Sequence, residues 1–182
     1  MLKWLFRQDP AKIAGQALYA ACAKNARNSA FYLELGVPDS VEGRFELYAL
    51  HVILVIERLK GQGDQAGAVS QALFDALLRG LDDGLRDMGV GDLSVGKKMR
   101  KLGEALYGRA RNLDEALAVL PDPGPLRAFL KRTVYETVPD GPVDALADWV
   151  VLANAALGQA TLDSVMSGAV DFPAVTIREP AA

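Results

Sequence analysis

Between Leu81 and Lys101 the chain reads Leu-Asp-Asp-Gly-Leu-Arg-Asp-Met-Gly-Val-Gly-Asp-Leu-Ser-Val-Gly-Lys-Lys-Met-Arg-Lys, its densest gathering of glycine, acid and base. Three chemistries can be written onto it. Gly91-x-x-x-x-Gly96-Lys97 has the outline of a phosphate-binding loop. Asp83-x-x-x-Asp87 places two carboxylates one helical turn apart, and Asp144-x-x-x-Asp148 repeats the spacing, so the two pairs could share Mg²⁺. Lys97, Lys98, Arg100 and Lys101, with Arg109 and Arg111 beyond, form a basic run broken only by Glu104. Such a run offers a contact to RNA phosphate, anionic lipid or an acidic partner.

Each chemistry has its own requirements. A phosphate loop needs a hydroxyl after the lysine and a strand feeding the turn. Here Lys98 follows Lys97 and the preceding pattern is helical, so nucleotide hydrolysis fails on mechanism. Two Asp-x-x-x-Asp pairs facing each other across a bundle are how head-to-head prenyl synthases hold diphosphate through Mg²⁺. A Mg²⁺-dependent prenyl-diphosphate-type helical enzyme is therefore the catalytic alternative, although those enzymes are much longer chains. His51 is the single histidine and Cys22 the single cysteine, which excludes an intrachain disulfide. His51 lies in the most apolar stretch, where a histidine bonded to a buried polar group is expected rather than the base of a Cys22 nucleophile. The basic run cannot all point one way on a helix, and cations at a helix N-terminus oppose its dipole.

At 182 residues, with 51% hydrophobic and 24% charged residues, the chain suits one soluble domain. A net charge of −3 argues against a protein devoted to DNA. No window resembles a membrane span, and Met1–Pro10 resembles neither a secretory signal nor a long transit peptide. Trp4, Leu5 and Phe6 between Lys3 and Arg7 suit either a packed turn or a lipid contact.

Apolar periodicity predicts an all-α, single-domain bundle of about six major helices over 1–168, followed by a loose tail over 169–182. The first helix runs from Lys12 to about Leu35, loosened at Asn28 and Ser29, and ends at Gly36-Val37-Pro38. The second runs from about Glu42 to Lys60 behind the capping pattern Asp39-Ser40-Val41-Glu42. Its middle is apolar on nearly every side and belongs at the centre of the bundle; the β-branched run Val52–Ile56 lacks a companion strand. A third helix covers Gln65–Asp87. A fourth starts at a Ser94 cap and reaches Tyr107, and a short one follows over Leu113–Leu120. Leu126–Val138 and Val143–Met166 complete the set.

Two blocks then stand out as ordered motifs. One runs from Phe31-Tyr32 through Gly36-Val-Pro-Asp-Ser-Val-Glu-Gly-Arg-Phe-Glu46 to Leu50-His51. The other runs from Leu85 to Met99, with Tyr107-Gly108-Arg109. Together they resemble the ubiquinol–cytochrome c chaperone family, assembly factors of the respiratory bc1 complex, over about Ala14 to Arg111. Ser40 stands where threonine is expected, Glu46 where aspartate is usual, and Leu106 where an aromatic is common. The resemblance implies a non-enzymatic role without cofactors: a holder of nascent or newly inserted cytochrome b. Mitochondrial members act with a small partner protein near the ribosomal exit tunnel. The compact chain is similar to bacterial members, which implies a cytoplasmic address, with room for a peripheral position at the inner face of the cytoplasmic membrane. A generic helical adaptor at ribosome or membrane is the other alternative. Candidate partner contacts are Asp39, Arg44, Arg86, Asp92, Lys97, Lys98, Arg100 and Lys101. Asp39 and Asp92 are expected to cap helices or to hold Arg44 and Arg86, fixing the two blocks against each other.

Overall fold

The computed structural model of the protein describes residues 9–176, apart from the side chains of Asp92 and Leu93. Trp4–Phe6 therefore lie outside the described residues. Eight helices and no strand occur among the described residues: α1 (Pro10–Ala26), α2 (Ser29–Leu33), α3 (Val41–Leu59), α4 (Asp64–Asp87), α5 (Asp92–Ala118), α6 (Gly124–Arg132), α7 (Val143–Gln159) and α8 (Leu162–Met166).

The bundle is built around α3. Leu47, Ala49, Leu50 and the whole run His51–Val55 are buried, because α1, α4, α5 and α7 all pack on this helix. The expectation of a central helix is thereby met. Ser40 caps α3 by accepting a hydrogen bond from the Gly43 amide at 3.1 Å. Alongside it α1 lies so close to α4 that a Cβ on Gly15 would sit 2.6 Å from the Ala72 carbonyl carbon, a separation only glycine permits.

Four helices differ from the sequence expectation. The first helix breaks at Arg27–Asn28, where the Asn28 carboxamide oxygen accepts from the Ala30 amide and restarts the chain as α2. Instead of stopping near Tyr107, α5 continues for 27 residues through Gly108, and it starts at Asp92 behind Gly91 rather than at Ser94. Burial of Leu106, Leu113 and Ala116 outweighs the weak helix preference of one glycine. After Arg132 the chain leaves α6 in turns that bury Val134 and Tyr135, and the Tyr135 hydroxyl donates to the Leu35 carbonyl at 2.6 Å. Last, α7 ends at Gln159. There the Arg58 guanidinium donates to the carbonyls of Leu157 and Ala160, and Thr161 caps a separate α8.

The stretch expected to be a loose tail is docked as far as Val175. Phe172 packs against His51 and Trp149, with ring centroids 4.9 and 6.2 Å away, and the Trp149 indole N–H donates to the Pro173 carbonyl at 3.0 Å. A tryptophan donor in a core needs an acceptor, and here the returning chain supplies it. His51 sits at the middle of this cluster, fully buried against Phe31, Trp149 and Phe172. Its Nδ1 lies 2.7 Å from the Leu47 carbonyl and its Nε2 2.8 Å from the Asn25 side-chain amide. Both nitrogens are therefore used within the core. Burial pushes the Cys22 thiol up to about 12, so no thiolate exists near neutrality and the Cys22–His51 nucleophile has no support.

Burial also pushes the His51 ring down to about 4, against a hydrogen bond to Leu47 that favours the charged form. The unfolded chain holds an ordinary histidine that titrates at about 6.5. Between these values the unfolded state binds a proton that the folded state refuses. The contribution of neutral His51 is thus complete above about pH 6.5 and lost progressively toward pH 4, amounting to about 3 kcal/mol. NMR titration of the single histidine should show a ring still neutral at pH 5, with urea midpoints falling through the same window. A midpoint near 6.5 in the folded protein would contradict the buried, neutral assignment.

Candidate functional site

An open groove of about 1070 Å³ runs along one side of the bundle. Its walls come from α1 and α2, from the loop and first turns of α3, from the last turns of α4, and from the middle of α5. Tyr19, Tyr32, Phe45 and Tyr48 give it aromatic sides. Two of these rings are held by their hydroxyls, since Tyr32 donates to the Ala26 carbonyl at 2.8 Å and Tyr48 to the Tyr19 carbonyl at 3.3 Å. At the rim stand Leu33, Val41 and Met88, exposed by 82%, 60% and 57%. One exposed leucine needs no explanation, but three large apolar side chains around one concavity make it the candidate binding surface.

The polar feature of the groove is an ion pair between α3 and α5. Glu46 is a buried acid on α3. Arg109, one of the exposed-looking basic residues of the sequence, turns inward on α5 and grips it with two donors: Nε donates to Oε2 at 2.6 Å and Nη2 to Oε1. Its Nη1 donates to the Ala105 carbonyl at 3.2 Å, and the guanidinium lies 5.5 Å from the centre of the Phe45 ring. A planar guanidinium gripping a carboxylate through two parallel bonds fixes both distance and orientation. Glu46 and Arg109 lie 63 positions apart, so this contact ties the first motif block to the second.

Of the eight expected contact residues, Asp39 and Arg44 line the groove. Arg44 Nε donates to Asp39 Oδ1 at 2.6 Å, which holds that carboxyl below the usual carboxylate range. This pair lies within one block and is exposed, so its contribution is to shape rather than to stability. Arg86 Nε donates to Asp82 Oδ2 at 2.7 Å, one turn earlier on α4. Asp92 is the first residue of α5, and its side chain lies outside the described residues. Lys97, Lys98, Arg100 and Lys101 are exposed on α5 beside the groove rather than inside it.

The sequence reading missed Glu46 with Arg109 as a pair, and Leu33, Val41 and Met88 as a set. A signal for the first existed, since an acid on the buried face of an apolar helix needs a cation, but nothing local said which. The second set comes from three separate elements, and only the tertiary fold brings it together.

The catalytic alternative lacks its site. Asp83, Asp87, Asp144 and Asp148 are all exposed, none lines the groove, and Asp144 is bonded to Arg127 at 2.5 Å. Among the described residues no group of three or more acids, histidines or cysteines is placed to hold a metal. Gly91 and Gly96 cap and enter a helix that follows another helix, which removes the phosphate loop as well.

Comparison with known proteins adds four findings. A profile of the ubiquinol-cytochrome C chaperone family matches residues 33–172. Over 141 residues, 76% of this chain, it is 23% identical to ubiquinol-cytochrome-c reductase complex assembly factor 1 of Xenopus laevis, of which the match covers 70%. The corresponding human protein is 25% identical over the same share of this chain, which spans 46% of its length. The crystal structure of the Cbp3 homolog from Brucella abortus superposes with a TM-score of 0.84 at 29% identity, covering 96% of this chain and 98% of that one.

Removing Arg109 would leave a carboxylate whose side chain is 10% exposed without its counter-charge, while the arginine side chain itself keeps 23% exposure. Arg109→Ala should therefore cost about 2–4 kcal/mol by urea denaturation, with the partial exposure placing it toward the lower end. The double variant Glu46→Gln/Arg109→Gln should lose clearly less than the sum of its singles. Additive losses would show that the pair does not act as a unit.

Proposed function

The chain belongs to the ubiquinol-cytochrome C chaperone family, and from that premise we propose that it holds newly made cytochrome b during assembly of ubiquinol–cytochrome c reductase. The observation that carries this reading is the groove walled by both motif blocks, with Leu33, Val41 and Met88 exposed at its rim. A client destined for a membrane presents apolar helices, and a groove with apolar rims and aromatic sides can cover one such face until the client is inserted. Tyrosine rings pinned by their hydroxyls present rigid surface at low entropic cost. The Glu46–Arg109 pair at one wall is already neutralised, so an apolar client is not asked to satisfy an isolated charge.

This role is one of binding and release, and the apolar rim and aromatic sides of the groove suit it. The relatives are named as reductase complex assembly factors, in keeping with a bc1 component as the client. No helix among the described residues is long and apolar enough to cross a membrane. A peripheral position at the membrane surface is part of the proposal, because the client must be delivered there.

Leu33→Asp and Met88→Asp place a charge on exposed rim positions and should change stability by no more than about 0.5 kcal/mol. Each is expected to lower cytochrome b and assembled reductase in the host, with chaperone levels unchanged by immunoblot. Leu152→Asp, at an exposed position on α7 away from the groove, should leave both at wild-type levels. Normal reductase in both rim variants would reject the groove as the working surface.

A further inference from the structure

Lys97, Lys98, Arg100 and Lys101 crowd the first turns of α5, all exposed, and none makes an ion pair with a described residue. Several other cations of the bundle are used internally, although Lys12, Lys24, Lys131 and Arg132 are also exposed, each apart from the α5 group. Arg109 holds Glu46, Arg58 closes the end of α7, Lys60 reaches Asp114 at 2.7 Å, and Arg127 reaches Asp144. Helix stability does not explain the cluster, since Lys97 and Lys101 are like charges one turn apart on α5, a mildly destabilising spacing. Exposed Asp83 and Asp87 at the end of α4, and Glu104 one turn on, moderate the field without pairing with these groups.

The cluster is also placed beside the groove. Lys98, Leu102 and Arg109 follow helical spacing along one line of α5, and Leu102 and Arg109 line the groove, so Lys98 carries the basic surface to its edge. Met88, 57% exposed, stands on the same groove's rim just before the turn into α5. Three of the four are lysines, compact point charges suited to a fluid array of phosphates. No aromatic ring is interleaved among them, as base stacking on single-stranded nucleic acid would use.

We propose that this side of α5 docks on an anionic membrane surface, with Lys97 and Lys101 in the headgroup layer, the long side chains of Lys98 and Arg100 reaching it from either flank, and the groove rim at Met88 turned toward the same surface. The chain as a whole carries −3, so the attraction acts at short range, within a Debye length of about 8 Å at physiological salt. Contact is peripheral and reversible. The inference deepens the groove reading by naming the surface at which the client is met, and it is testable with no client present.

Flotation with vesicles of phosphatidylglycerol and phosphatidylcholine, compared with phosphatidylcholine alone, measures it. The chain should bind the mixed vesicles, ignore the neutral ones, and release as salt is raised. Each surface cation contributes about fivefold, so replacing all four by glutamine should weaken binding by at least tenfold. The matched control changes Lys12, Lys24, Lys131 and Arg132 to glutamine; these are exposed elsewhere and alter net charge equally, and binding should survive. Circular dichroism verifies that both variants keep their helices. Equal binding to neutral vesicles, equal loss in the control, or absence of binding to the mixed vesicles would overturn the proposal. So would an RNA oligomer that displaces the chain from vesicles and loses its own binding in the α5 variant. None of these outcomes bears on the groove, because the assay contains no client.

Discussion

A buried carboxylate is the constraint on which the groove of this protein depends. Glu46 occupies the buried side of the central helix, where an unpaired charge would be costly, and the cation that meets it comes from α5. Satisfying Glu46 therefore positions the middle of α5 against the start of α3. That juxtaposition sets the width of the groove, brings Phe45 under the guanidinium, and leaves Tyr32 and Tyr48 facing open space. The pair is a positioning device rather than a reactive one.

The same helix divides the molecule's surfaces. Toward the core α5 presents Val95, Leu106 and Leu113; on its groove flank it presents Leu102 and Arg109. Outward it carries the unpaired lysines. A second cavity of about 540 Å³ opens on the other flank, between α3, α4 and α5, where Phe74 packs on Tyr107 with centroids 5.1 Å apart. One helix thus serves as core element, groove wall and charged surface, which is why its length matters. Had it ended near Tyr107, Arg109 would not be fixed in helical register with Leu102.

Legibility in the sequence follows from how local each cause is. The central helix was readable because apolar residues surround it for three turns, and its start because Ser40 precedes it with a capping oxygen. The stop at Gly36-Val37-Pro38 was equally plain, with Gly36 at a φ of +58°. The run of α5 through Gly108 was not, since burial of Leu113 and Ala116 is a tertiary fact that overrides a local breaker. Docking of the final segment rests on Phe172 and on one tryptophan hydrogen bond, and neither has a periodic signature. Within the candidate site, the pairing of Arg44 with Asp39 is legible, since the two lie five positions apart in one motif block. The partnership of Glu46 with Arg109 is not legible, because the two lie 63 positions apart and only the packing of α5 on α3 joins them.

The most direct test of the account is a photo-crosslinking amino acid at Leu33 while cytochrome b is being translated in the presence of the chaperone. The groove reading predicts adducts with an apolar segment of cytochrome b from Leu33, and none when the probe is moved to Leu152, an exposed leucine on α7. Equal adducts from both positions, or adducts from Leu152 alone, would contradict the claim that this groove holds the client.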